Sequence, residues 1–164
     1  MANFSFDVVS TYDKAEMNNA FEQTEREIEN RYDFKGTAAA IEWMGDKTGV
    51  KLIADSKWQI EQVLDVFRKK LATRNMTSKV LDLSAEIHEA NMRAWQEVPF
   101  IDGLTQEKAK EVSKIIRDLY PKAKPTIQGD LVRVVSSSKD ELQGVMVTLK
   151  AADLDYPLSF TNYR

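Results

Sequence analysis

Two stretches of this chain repeat one pattern without a gap, and the repeat limits the folds that the chain can adopt. VKLIADSKWQIEQVLDVF begins at Val50, and VRVVSSSKDELQGVMVTL begins at Val132. A helix cap and a lysine coincide in the alignment, because Ser56-Lys57 matches Ser138-Lys139. The aligned apolar positions are Ile60, Val63, Leu64 and Phe67 in the first stretch and Leu142, Val145, Met146 and Leu149 in the second. We interpret the repeat as a duplication of one structural unit.

Each stretch lies within a longer series of strand and helix signals. Alternating apolar residues predict strands, and apolar residues three and four positions apart predict helices. The predicted strands are Phe4–Val8, Ala39–Trp43, Val50–Ala54, Val80–Ile87, Val98–Ile101, Thr126–Gln128, Leu131–Val135 and Leu158–Phe160. The predicted helix N-caps are Asp13, Ser56, Thr105 and Ser138. Both halves of the chain therefore follow the order strand, helix, strand, strand, helix, strand.

That order is the split βαβ, or ferredoxin-like, arrangement, which packs two helices on one face of a four-stranded antiparallel sheet. The sequence therefore predicts an α+β fold made of two ferredoxin-like (RNP-like) domains in tandem. The expected limits are residues 1–90 for the first domain and 91–164 for the second. The pattern leaves open whether the first strand pairs in its own domain or is exchanged into the second.

Composition excludes several classes of function. The chain has no cysteine, so disulfides and thiolate chemistry are absent. Lys and Arg number 12 against 16 Asp and Glu in residues 1–90, and 11 against 10 in residues 91–164. Neither half has the strong positive charge of a duplex DNA binder. The N-terminal residues do not resemble a signal peptide, and no apolar run approaches the roughly 20 residues of a membrane span. We expect a cytoplasmic protein without a membrane segment.

Residues with catalytic chemistry are scarce and scattered. The only histidine, His88, lies in a polar stretch without the spaced partners of a metal site, so we expect an exposed or connector residue. Neither glycine-rich phosphate-binding motif is present. Acidic pairs such as Asp140-Glu141 are explained by helix capping. The sequence predicts no metal, no cofactor and no enzymatic activity.

Three segments combine cations with aromatic or polar residues in a way that suits a nucleotide. They are RYDFKG at 31–36, the QGD hairpin at 128–130 with Arg133 and Lys139 after it, and FTNYR at 160–164. A ring can stack on a base while a cation contacts phosphate. A helix exit, an ordinary turn before a capped helix and a frayed edge strand explain the same three segments structurally. The candidate binding residues are Arg31, Phe34, Lys35, Gln128, Arg133, Lys139 and Arg164.

The return strands lack the aromatic motif of RNA-recognition modules. Those modules stack bases on aromatic side chains of a central strand. The corresponding segments here, VKLIA and LVRVV, contain no aromatic residue.

The candidate segments, together with the opening FSFDVVS, resemble the bacterial YajQ family. RYDFKG, IQGDLVRV, SKDELQGVM and LSFTNYR follow in the family's order, and the resemblance covers essentially the whole chain. It implies tandem RNP-like domains in a cytosolic, non-catalytic, nucleotide-binding protein. It also implies a guanine nucleotide such as cyclic di-GMP as the favoured ligand, and a transcription factor or nucleic acid as further partners.

The leading hypothesis is therefore a non-enzymatic, nucleotide-binding regulatory protein. An RNA- or DNA-binding module is one alternative, although the acidic first half argues against it. A protein-interaction adaptor that uses an open sheet face is another.

Overall fold

The computed structural model describes residues 3–164 and divides the chain into two compact units. One, the middle unit, is Tyr12–Ile101. The other, the split unit, combines the segment up to Thr11 with Asp102–Arg164. The sequence prediction places the boundary at residues 90 and 91, whereas the chain passes between the compact units after Thr11 and again after Ile101.

The described chain contains strands and helices in a regular alternation. The strands are β1 (Phe4–Val9), β2 (Ala40–Met44), β3 (Gly49–Ala54), β4 (His88–Ala90), β5 (Arg93–Pro99), β6 (Lys124–Gln128), β7 (Leu131–Ser136) and β8 (Ser159–Thr161). The helices are α1 (Lys14–Asn30), α2 (Lys57–Thr73), α3 (Gln106–Leu119) and α4 (Lys139–Ala151), with short 3-10 helices at Tyr32–Phe34 and Ser78–Val80.

The split unit is a ferredoxin-like fold whose first strand is separated in sequence from the rest. Its antiparallel sheet has the order β6-β7-β1-β8, and β1 pairs with both β7 and β8. Phe6 and Val8 of β1 lie opposite Val134 and Val132 of β7. All four side chains are fully buried, together with the inward residues of α3 and α4. Ser5 and Asp7 point to the other face, because strand side chains alternate.

The middle unit has the same sheet geometry with a different strand order along the chain. Its antiparallel sheet has the order β2-β3-β5-β4. Strand β5 occupies the central place that β1 holds in the split unit. The rings of Phe21 and Trp43 stack with centroids 4.0 Å apart, and Phe67 is fully buried in the same core. Two four-stranded antiparallel sheets with two helices each confirm the predicted fold class.

Side chains cap all four helices at the residues that the sequence predicts. Asp13 accepts a hydrogen bond from the Glu16 amide at 3.0 Å. The other three caps each accept one at 3.2 Å: Ser56 from Gln59, Thr105 from Lys108 and Ser138 from Glu141. Each bond satisfies one amide of the first turn, which has no partner within the helix. These caps confirm where each helix begins.

One predicted strand is absent, and another belongs to the first of the two units along the chain and not to the second. The strand expected at Val80–Ile87 is replaced by the 3-10 helix Ser78–Val80 and a single bridge between Leu81 and Phe100. Asp82 then accepts hydrogen bonds from the amide and hydroxyl of Ser84, and this local turn ends the pairing. The strand signal at 98–101 marks the end of β5, which pairs with β3 of the middle unit from Ala94 to Pro99 and therefore does not open the second unit.

Candidate functional site

A cavity of about 190 Å³ lies in the split unit, beside the start of α4. It is lined by Phe4, Ser5, Phe6, Lys139, Leu142, Gln143, Met146, Tyr163 and Arg164. Three elements therefore form it: the beginning of β1, the first two turns of α4 and the last residues of the closing segment, which we define as residues 159–164. We name this space the α4 cavity.

A cation of the α4 cavity lies at its aromatic rim. Lys139 is the first residue of α4, and its Nζ lies 4.8 Å from the centroid of the Phe4 ring. The amide groups and the dipole of a helix N-terminus favour an anion at this end. Arg164 also lines the cavity, but it is paired directly with Ser5, so its side chain lies on the face of Ser5 and Asp7, where its charge helps to lower the pKa of Asp7. The apolar side chains of Leu142 and Met146 continue the lining along α4.

Backbone pairing brings the closing segment to the cavity. The amide of Ser5 donates to the Arg164 carbonyl at 3.0 Å, and the amide of Arg164 donates to the Ser5 carbonyl at 2.9 Å. The Tyr163 ring stacks on Phe6 with centroids 6.4 Å apart and an angle of 29°. Tyr163 is 63% exposed, so most of its surface remains available to a ligand.

A buried carboxylate lies on the opposite face of the same strand. Asp7 is 4% exposed and accepts hydrogen bonds from Arg133 Nε at 2.9 Å and from Asn162 Nδ2 at 3.0 Å. The hydrogen bond from Arg133 is the main cause that lowers the pKa of Asp7 below its ordinary value, and the Asn162 bond lowers it further while burial opposes both. Asp7 is therefore ionised at neutral pH and joins β7 to the closing segment.

The RYDFKG residues lie in the middle unit and form no part of the α4 cavity. Arg31 makes ion pairs with Glu27 at 3.6 Å and Asp33 at 2.9 Å, and its guanidinium carbon lies 5.0 Å from the Phe34 ring centroid. Phe34 is only 3% exposed and belongs to the core, so its ring has no free face for a base. Lys35 is exposed to solvent.

The QGD hairpin also lies apart from the α4 cavity lining. Gln128 is an exposed residue at the end of β6, and Gly129 adopts a φ of 61° in the turn. Arg133 is engaged with Asp7 through both Nε and Nη2. The structure thus brings together Lys139 and Arg164 among the seven candidates.

The seven candidates do not include Phe4, Gln143 and Tyr163, although Tyr163 belongs to the FTNYR segment and Gln143 follows the QGD hairpin and Lys139. Gln143 lies one helical turn after Lys139, and this spacing puts both on one helix face. That signal was available from the sequence. The proximity of Phe4 to Lys139 was not, because it depends on the pairing of β1 with β7.

The middle unit presents an aromatic pair on the face of its sheet that is opposite α1 and α2. His88 of β4 is paired with Trp95 of β5, and their rings stack with centroids 5.4 Å apart at 24°. Trp95 is in turn paired with Ile53 of β3, and Ile53 is paired with Ala40 of β2. The exposure predicted for His88 is confirmed. Strands β3 and β7 contain no aromatic residue, but β5 supplies Trp95 beside β3.

The described residues contain no cluster of three or more histidines and carboxylates placed to hold a metal ion. Across residues 3–164, no helix has the length and apolar character needed to cross a bilayer.

Comparison with known proteins identifies the family. The family model described as nucleotide-binding protein YajQ-like matches residues 4–164. A nucleotide-binding protein of Nocardioides sp. is 44% identical over 165 residues, which cover 100% of both chains. A nucleotide-binding protein of Trichodesmium erythraeum is 43% identical over 160 residues, covering 98% of this chain and 97% of the relative. One from Nostoc punctiforme is 41% identical over 163 residues, covering 99% of each. The chain therefore belongs to the YajQ-like family.

Proposed function

We propose that this protein binds a nucleotide in the α4 cavity and catalyses no reaction of its own. The observation that carries the proposal is the meeting of Lys139 with the rings of Phe4 and Tyr163 around one largely apolar cavity. A nucleotide has a planar base and an anionic phosphate, so it needs both kinds of surface. The relatives' names, which describe nucleotide binding, support the same function.

The size of the cavity indicates how a nucleotide would lie. Pockets that enclose a drug-sized ligand occupy about 300 to 1,000 Å³. The α4 cavity, at about 190 Å³, is smaller and suits one base. The ribose and phosphate would then lie at the rim, within reach of the α4 N-terminus and Lys139. An anion there gains from the helix dipole and from charge-assisted hydrogen bonds.

We further propose a guanine nucleotide, with cyclic di-GMP as the first ligand to test. The side chain of Gln143 supplies a polar group beside the apolar part of the lining. An amide carries both a donor and an acceptor, which suits the Watson–Crick edge of guanine. In this arrangement one guanine of cyclic di-GMP enters the α4 cavity and the phosphates stay at its rim. The ligand identity rests on the YajQ resemblance together with this amide.

Calorimetric titration with cyclic di-GMP, GTP and ATP tests the proposal. We expect Lys139→Ala to raise the Kd about tenfold, because one charge-assisted hydrogen bond is worth roughly 1.5 kcal/mol. Lys124→Ala is the matched control, since Lys124 is an exposed lysine of the same unit outside the cavity lining, and its Kd should not change. Absence of heat with all three nucleotides at high protein concentration would refute nucleotide binding. Equal affinity for GTP and ATP would refute only the guanine preference.

A protein-interaction role is the second candidate, favoured by the His88–Trp95 stack on an open sheet face. Residues 12–101 contain 13 Lys and Arg against 16 Asp and Glu, so the middle unit carries a net charge of −3. That charge disfavours a polyanion and therefore argues against the nucleic-acid alternative.

The single histidine allows proton NMR to test whether this sheet face binds nucleic acid, the alternative that the negative charge disfavours. We expect the His88 imidazole signals to stay unchanged when single-stranded RNA is added at low salt. A shift that disappears as salt rises would instead support nucleic-acid binding on this face. Trp95→Ala serves as the control, because it removes the stacked ring and should move the His88 signals in the free protein.

A further inference from the structure

The closing segment is held to β1 with one extra residue, and this bulge determines where its side chains point. Asp7 is opposite Thr161, while the backbone of Ser5 is bonded to Arg164. Two steps along β1 therefore correspond to three steps along the closing segment, which defines a β-bulge. Asn162 lies within the bulge and has a φ of 57°, a left-handed conformation that asparagine tolerates better than most residues.

The bulge keeps Asn162 on the same face as Thr161 and Asp7, and it returns Tyr163 to the face of Phe6. Asn162 donates to Asp7 on the face away from α3 and α4, whereas Tyr163 lies against Phe6 and lines the α4 cavity. Asp7 is held in place independently by its two bonds to Arg133. Asn162 is thus anchored to a fixed, ionised and buried acceptor. A hydrogen bond to such a charged group is stronger than a neutral one.

The remaining contacts of the last residues are few. Tyr163 is mostly exposed, and Arg164 is held through its two backbone bonds to Ser5. Short terminal segments with few buried contacts open easily unless they are anchored. The hydrogen bond from Asn162 to Asp7 therefore determines the fraction of time for which the closing segment is paired with β1.

We propose that Asp7 and Asn162 are positioning residues for the α4 cavity. They hold the closing segment so that Tyr163 and Arg164 form one wall of the cavity, although neither residue lines the cavity itself. Closure of the segment and ligand binding then stabilise each other, because the ligand contacts a wall that exists only in the closed state. The expected effect on ligand binding rests on the proposed nucleotide-binding function. The closure of the segment does not depend on that function.

Asn162→Gly is the sharpest test, since glycine accepts a positive φ and removes only the side-chain donor. Hydrogen exchange of the Ser5 amide reports directly on pairing with Arg164. In the absence of nucleotide we expect this amide to exchange about tenfold faster in Asn162→Gly than in the wild type. We expect a similar increase in the Kd for cyclic di-GMP, with an unchanged midpoint of thermal unfolding. Asn162→Asp should give larger changes in both, because a second carboxylate would face Asp7.

Asn75→Gly is the matched control. Asn75 also has a positive φ, of 60°, but lies in the middle unit, so neither Ser5 exchange nor the Kd should change. Unchanged exchange in both Asn162 variants would overturn the anchoring role. Faster exchange with an unchanged Kd would overturn the coupling to the ligand. A wild-type protein that binds no nucleotide would overturn the proposed function and the coupling, while the ligand-free exchange rates still decide whether Asn162 anchors the segment.

Discussion

Phe6→Ala is expected to lower the free energy of unfolding of the split unit by about 4 kcal/mol, the largest single effect that we predict. Phe6 is fully buried at the centre of β1, and its ring contacts Phe160 edge-on with centroids 5.5 Å apart. Removing the ring leaves a cavity between the sheet and α4, and β1 has no other aromatic residue that is fully buried. The substitution should also weaken the stacking of Tyr163 beside the α4 cavity.

Hydrogen exchange of the β1 and β7 amides, measured with increasing denaturant, checks this prediction in the split unit. Leu119→Ala provides the control, because Leu119 is a 59% exposed leucine of the same unit and its loss should cost less than about 0.5 kcal/mol. A cost below about 1.5 kcal/mol for Phe6→Ala would contradict the packing described for β1.

Gly49→Ala is expected to destabilise the middle unit by about 3 kcal/mol. A Cβ at position 49 would lie 2.7 Å from the Cα of Pro99 and 2.7 Å from the carbonyl oxygen of Val98. Both are backbone atoms of the paired strand β5, so relief requires movement of the sheet and not merely of a side chain. The clash therefore separates the central strands β3 and β5.

Tryptophan fluorescence during denaturant unfolding measures this loss of stability, because Trp43, Trp58 and Trp95 all lie in the middle unit. Gly36→Ala is the informative comparison. Position 36 has open space for a Cβ but a φ of 77°, so its cost should be about 1 kcal/mol from backbone strain alone. If the two alanine variants unfold at the same denaturant concentration, the close approach of β3 and β5 at Gly49 does not cause the loss of stability.

The helices and their starting points were predictable because the signals are local. Asp13, Ser56, Thr105 and Ser138 each hydrogen-bond an amide three residues later, so a short stretch of sequence contains the whole interaction. The buried positions of β7 and α4 were also visible in their spacing. These local rules account for the fold class.

Interactions between distant segments were harder to predict. Asp7 and Arg133 are 126 residues apart, and nothing near either residue indicates their bond. The same is true of the bulge at Asn162, since its extra residue appears only when β8 is aligned with β1. Phe34 shows a different difficulty. Its neighbours are charged, and only the packed core explains its burial.

The position of β1 in the chain has a consequence for biosynthesis. All strands of the middle unit lie between residues 12 and 101, so its sheet can form as soon as β5 has left the ribosome. Strand β1 is made before them but waits for β7, and at ordinary rates of translation the 126 residues from Asp7 to Arg133 take roughly 6 to 25 s. During that time Phe4, Phe6 and Val8 form an unpaired apolar strand, which favours association with other nascent chains or with a chaperone. The split unit is therefore the part of this protein whose folding yield depends most on how fast the chain is made.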